Sequence, residues 1–296
     1  MTYKAHDAFV APARARPGLW RLLFGLVLVA AVFVAWFMAL VAVIFLVSGT
    51  GGGQQWMVRL TTANTPTTVL LILAAIPGLG LGAMAAVRVL HARGPATLFG
   101  PKQRVIRHFS IAAAVTLAVL AASLLIPTGY TLMPGLDLRL WLSFLPLALV
   151  AIAAQAGAEE VLFRGYLQQQ LAARFASPLV WLLVPSLIFG AAHFDPGAPP
   201  VVAWLVAAAA TVFGLCAADL TARTGSIGAA WGFHFANNVA AVLVIALNGN
   251  LSGLALYVTP FGAEAVETLQ PLILRDIAIT LAIYAAIRFA LARKSA

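Results

Sequence analysis

Seven uncharged runs limit what this chain can fold into, because each is long enough to cross or nearly cross a hydrocarbon core of about 30 Å. They cover residues 22–47, 67–87, 109–127, 140–158, 179–194, 201–218 and 227–247. An eighth run, 272–291, is interrupted by Arg275, Asp276 and Arg288. Only 9% of all residues are charged and 62% are hydrophobic, which lies outside the range of soluble domains. The sequence therefore predicts an all-α polytopic membrane protein with about eight transmembrane helices.

Basic residues are concentrated in two of the polar segments that flank these runs. They are Lys4, Arg14, Arg16 and Arg21 before the first run, and Arg88, Arg93, Lys102, Arg104 and Arg107 in the second loop. Because basic loops stay in the cytosol, the pattern predicts a multi-pass integral membrane protein with both termini cytosolic. The excess of arginine over lysine in an alanine-rich chain indicates a bacterial protein, and so a bacterial inner membrane. The first run has 26 residues, against roughly 7–15 for a signal-peptide core, so we expect it to be an uncleaved span.

The predicted organisation is a cytosolic N-terminal arm, 1–21, and one membrane-embedded domain, 22–292, with a catalytic core at about 140–247. Cytosolic loops account for the net charge of +9, so no nucleic-acid partner is predicted. The single cysteine, Cys216, excludes an intrachain disulfide and a cysteine-based zinc site. Segment 248–270 is too long for a tight turn and is predicted to be a lid or a re-entrant loop without an assigned role.

Three charged residues follow directly after the run 140–158. Glu160 and Arg164 are four residues apart with the acid first, which favours an ion pair on one helix face. Adjacent helix positions differ by about 100°, so Glu159 faces another way and is predicted to lack a local partner. An intramembrane charge of this kind indicates function. We therefore interpret Glu160 and Arg164 as a structural ion pair and Glu159 as the general base. The alternative is a solvated charged patch at the end of a helix.

Two further polar sites interrupt the apolar runs. His193 ends the fifth run, and His234 lies in the seventh, with Asn238 one turn further along and Asn237 as a less favoured neighbour. Glu159 and His193 are each 17 residues from a turn at Ala176, so they are expected at the same height in a helical hairpin. His234 lies roughly 14 Å from the turn before its own helix, at about 1.5 Å per residue. One shared layer of the membrane can therefore contain all these groups.

A carboxylate, two histidines and an amide in one pocket suffice for hydrolysis by an activated water. Glu159 with a histidine can deprotonate water, while a histidine and Asn238 can stabilise the oxyanion. A bound zinc ion held by Glu159, His193 and His234 is the alternative. The sequence offers no evident acidic group to orient the histidines, and asparagine is a poor zinc ligand, so a metal-free site that requires no cofactor is favoured.

The motifs EExxxR at 159–164, FxxxH at 189–193 and HxxxN at 234–238 resemble those of the CAAX protease and bacteriocin-processing family of intramembrane proteases. The resemblance implies eight helices around a cavity open to the cytosol, and endopeptidase activity on a peptide or membrane-protein substrate within the lipid bilayer. It also implies that Glu159 and His193 activate water, and that His234 and Asn238 form the oxyanion site. Two other functions compete with this one: a transporter or proton relay, and a catalytically silent immunity or scaffold relative.

Overall fold

Helices formed by the apolar runs build nearly the whole molecule in the computed structural model, which describes residues 3–249 and 251–293. In chain order the α-helices are α1 Lys4–Val10, α2 Leu19–Thr62, α3 Pro66–Ala75, α4 Pro77–Val89, α5 Lys102–Ser123, α6 Leu138–Glu160, α7 Gln169–Arg174, α8 Pro178–Ala192, α9 Pro200–Thr224, α10 Gly228–Val239 and α11 Val266–Arg293. Two π-helical segments, Val161–Gln168 and Ala240–Val244, continue α6 and α10. Short 3₁₀ turns lie at Ala11–Ala15, Pro95–Leu98 and Ser252–Leu254.

The helix breaks fall where glycine and proline require them. In α2, Gly49 has φ 69° and ψ 175°, which divides the 44-residue helix into a membrane-crossing part and a shorter second part. Pro77 divides the second apolar run into α3 and α4, since proline lacks the N–H that would continue the ladder. Helix α9 ends at Gly225, whose left-handed φ of 65° lets its N–H bond back to Thr221.

Five helical stretches in the described residues have the length and composition to cross a membrane. They are Leu19–Thr62, Pro66–Val89, Pro95–Ser123, Leu138–Arg174 and Pro200–Thr224. The other three predicted runs form α8, which has 15 residues, and the helices α10 and α11. The protein is thus an all-α polytopic membrane protein, as its sequence predicts.

Glycine contacts set the spacing between neighbouring helices. A Cβ atom added at Gly82 would lie 2.7 Å from the Cα atom of Val29, so α4 and α2 touch backbone to backbone. A Cβ atom at Gly232 would lie 2.2 Å from the carbonyl oxygen of Phe109, which fixes α10 against α5 in the same way. Gly82 and Gly232 therefore allow neighbouring helices to pack closely.

A three-stranded sheet of two-residue strands lies in the loops at the end of the bundle opposite to the turn between α7 and α8. Strand β3, Tyr257–Val258, pairs antiparallel with β1, Met133–Pro134, and parallel with β2, Ile245–Ala246. Segment 248–270, described except for residue 250, leads along the chain to α11, and its strand β3 lies between β2, which follows α10, and β1, which precedes α6. Leu254 and Ala255 in this segment are buried, so it closes that end of the bundle.

The N-terminal arm is folded against the helices. Phe9 and Val10 of α1 are buried, and the His6 ring lies 4.4 Å from the Trp181 ring, centroid to centroid. Tyr3 donates a hydrogen bond to Asp219 Oδ1 over 2.7 Å, and Tyr284 of α11 donates to Oδ2 over the same distance. One buried carboxylate thus joins the arm, α9 and α11.

Acidification is expected to loosen this arm. Burial lowers the pKa of His6 to about 4, while Asp7 opposes and Arg14 adds to the shift. An unfolded arm has a histidine pKa near 6.5, so the arm is fully stabilised above about pH 6.5 and loses stability as the pH falls toward 4. Amide hydrogen exchange of residues 3–15 should therefore be faster at pH 4.5 than at pH 7 after correction for intrinsic rates. His6→Phe should remove most of this difference, and an equal pH response in both proteins would contradict it.

Candidate active site

The two glutamates lie at the end of α6, where helix α10 packs alongside. Trp231 of α10 donates from Nε1 to the carbonyl oxygen of Ala153 over 2.9 Å. Its ring covers Gly157, where an added Cβ atom would lie 2.8 Å away. These contacts fix the register of α10 against α6. Directly after Glu160 the chain becomes π-helical, and such wide turns are frequent at functional sites.

Glu160 is the centre of a buried charge network. Its Oε1 atom accepts from Arg164 Nη1 over 3.0 Å and from His234 Nδ1 over 2.8 Å. Arg164 also donates from Nη2 to the carbonyl oxygen of Gly214 over 3.2 Å. The i,i+4 ion pair is therefore present, but the expectation that no acidic group orients the histidines was wrong, because Glu160 fixes the ring of His234.

Glu159 has a local partner, contrary to the expectation from the sequence. Gln155, one turn earlier, donates from Nε2 to Glu159 Oε1 over 2.8 Å. The other carboxylate oxygen, Oε2, is buried without a hydrogen-bond partner and lies 3.6 Å from His234 Nε2. This separation is too long for a direct hydrogen bond and is compatible with a bridging water.

The seventh run contributes Asn238 through the same glutamine. Asn238 donates from Nδ2 to Gln155 Oε1 over 2.8 Å, so Asn238 is the asparagine that joins the site. Gln155 was not among the predicted site residues. One signal in the sequence could have identified it: Gln155 is a polar residue four positions before Glu159, with apolar neighbours on both sides.

His193 is placed at the edge of this cluster. It follows the last residue of α8, is exposed, and donates from Nδ1 to the carbonyl oxygen of Phe189 over 2.8 Å. Its ring lies 4.5 Å from the Phe189 ring, which is 5.9 Å from the His234 ring, centroid to centroid. Among the hydrogen bonds and ion pairs of the described residues, none joins His193 directly to Glu159 or His234. The shared pocket of all three stays a prediction.

The same geometry shows whether these residues could hold a metal ion. Across residues 3–249 and 251–293, no three His, Cys, Asp or Glu side chains come together in a geometry that could hold a metal ion. Glu159 and His234 face each other, but His193 does not complete a three-donor set in this conformation. The candidate zinc ligands therefore do not form an assembled site here.

Comparison with known proteins relates this geometry to a family. The chain is 27% identical over 263 residues to the uncharacterized protein YyaK of Bacillus subtilis (strain 168). The aligned region covers 83% of this chain and 85% of that protein. No solved structure matches the chain. Residues 140–240 match the family described as type II CAAX prenyl endopeptidase Rce1-like, and this range holds all three motifs. The predicted resemblance is thus confirmed for the helices that carry the site, and at the level of the family it supports an intramembrane protease of the CAAX type.

Proposed function

We propose that the protein is an endopeptidase that hydrolyses a peptide bond of a peptide or membrane-protein substrate near the cytosolic face of the bilayer. One observation carries this proposal: the unpartnered Oε2 atom of Glu159 faces His234 Nε2 across 3.6 Å. A water molecule that contacts both atoms from one side would meet a proton acceptor inside a buried, preorganised site. The arm 1–21 is assigned to the cytosol, and 22–292 to one membrane-embedded domain with its core at 140–247.

In this mechanism, Glu159 and His193 activate the water, which attacks the carbonyl carbon of the scissile bond. His193 donates from Nδ1 to the backbone, so Nε2 is the basic nitrogen of the neutral ring. Glu159 takes the proton of the water and returns it to the leaving amine as the C–N bond breaks. His234 and Asn238 stabilise the oxyanion, and when His234 carries a proton on Nε2 as well, Glu160 balances its charge.

The first experiment tests whether the protein cleaves peptide bonds. Purified protein in lipid nanodiscs is incubated with a peptide library in ¹⁸O-labelled water, and new termini are identified by mass spectrometry. We expect cleaved peptides that carry one ¹⁸O atom in the new carboxylate, and loss of these products in His234→Ala. His108→Ala, which changes a half-buried histidine outside the site, is the matched control. Equal cleavage by wild type and His234→Ala would overturn the proposal.

Independence from a metal is the second expectation. Since no group of three candidate ligands comes together among the described residues, exhaustive chelation should leave peptide cleavage unchanged, with well under one metal ion per chain by elemental analysis. Stoichiometric zinc, with activity lost on its removal and restored on its return, would instead support zinc held by Glu159, His193 and His234.

A further inference from the structure

Gln155 connects the two halves of the proposed site. It is 6% exposed and lies on α6 one turn before Glu159. Its side-chain amide contacts Glu159 on the same helix and Asn238 on α10, each over 2.8 Å. The proposed mechanism assigns it no role, although it touches both the general base and the oxyanion donor.

The chemistry of the partners fixes the direction of both hydrogen bonds. An ionised carboxylate only accepts, so the NH₂ group of Gln155 must face Glu159. The carbonyl oxygen of Gln155 then faces Asn238, which has to donate from its own NH₂ group. Reversing either amide would place two acceptors or two donors against each other. With Glu159 ionised, Asn238 therefore donates a hydrogen bond to Gln155, and Gln155 donates one to Glu159.

We propose that Gln155 is a positioning residue that orients Glu159 and Asn238 together; this inference rests on the proposed function. By holding Glu159 Oε1, it leaves Oε2 as the oxygen that faces His234. By accepting one N–H of Asn238, it leaves the second N–H for the oxyanion. The base and the oxyanion donor are thereby set at a fixed separation across two helices.

A purely structural role for Gln155 is the competing explanation, because interhelical amide bonds also hold membrane helices together. Gln155→Leu separates the two, since it fills a similar volume and removes both hydrogen bonds. We expect kcat to fall on the order of 10²-fold with an unchanged KM, the loss that a misplaced catalytic group produces. Gln155→Asn, which stays polar but is too short to reach both partners, should show the same split if the leucine variant does not fold.

Gln168→Leu is the matched control. Gln168 continues the same helix, is fully buried, and donates to the carbonyl oxygen of Ala218 over 3.0 Å. This variant should lose thermal stability to a similar degree while kcat per folded molecule stays at the wild-type value. Asn238→Ala adds a coupling test: combined with Gln155→Leu, it should lower kcat by less than the product of the two separate effects.

The outcomes distinguish this inference from the function on which it rests. If Glu159→Gln is inactive while both Gln155 variants keep the wild-type kcat, the protease stands and the positioning role is wrong. Equal losses of kcat in Gln155→Leu and Gln168→Leu, in proportion to lost stability, also contradict positioning. If the wild-type protein cleaves no peptide of the library, the proposed function itself fails, whereas full activity of Glu159→Gln would only remove Glu159 from the mechanism.

Discussion

Glu159→Gln is expected to lower the rate of peptide cleavage by about 10²- to 10⁴-fold, the contribution typical of a general base. The fold should persist, because the amide oxygen of the new side chain can still accept the hydrogen bond from Gln155. The carboxylate of glutamate and the amide of glutamine also have almost the same shape. Cleavage kinetics and thermal unfolding in the same detergent measure the two effects separately.

Glu267→Gln serves as the control for this substitution, since it makes the same chemical change at an exposed position of α11. It should leave both the cleavage rate and the unfolding temperature at their wild-type values. A Glu159→Gln protein that unfolds at a much lower temperature would mean that Glu159, rather than Glu160, is the structural carboxylate. Full activity in that variant would remove Glu159 from the mechanism.

Arg164→Ala should have the largest effect on stability, on the order of 3–5 kcal/mol, because it leaves one half of a buried ion pair. Arg164 is 1% exposed and Glu160 is 0% exposed, so water cannot replace the lost partner. The substitution also strips the carbonyl oxygen of Gly214 of its donor. Unfolding in increasing denaturant, followed by tryptophan fluorescence, should show an earlier transition or no folded protein at all.

Arg14→Ala is the matched control for this loss. Its partner Asp7 lies 2.8 Å away, but the two side chains are 50% and 71% exposed, and exposed pairs contribute only about 0–1 kcal/mol. Adding Glu160→Gln to Arg164→Ala should recover part of the stability by removing the unpaired charge. If the double variant were no more stable than Arg164→Ala, burial of the carboxylate would not be the cause.

The sequence predicts the helices and the ion pair for reasons that the structure makes plain. Uncharged runs have few alternatives in a bilayer, where helices satisfy every backbone group. The pair of Glu160 and Arg164 follows from spacing on one helix. What spacing could not predict is that both glutamates reach the same histidine. They diverge by about 100° around α6, yet His234 presents Nδ1 to Glu160 and Nε2 to Glu159 from opposite sides of one ring.

The sequence predicted neither the place of Gln155 in the site nor the helix in the N-terminal arm, for different reasons. A glutamine carries no charge, so Gln155 did not interrupt the run 140–158, and its two partners come together only after α6 and α10 pack. The basic arm was predicted as a cytosolic segment, and nothing in its pattern announced a helix. Contacts of Phe9, Val10 and His6 with distant helices, rather than local propensity, stabilise α1.

Asp219 joins two parts of the fold that lie far apart in the sequence. Hydroxyl groups from near both chain ends, Tyr3 and Tyr284, meet on this single carboxylate. A single side chain of α9 therefore holds two segments that lie far apart in the sequence, so the loss of this carboxylate would release both of them together.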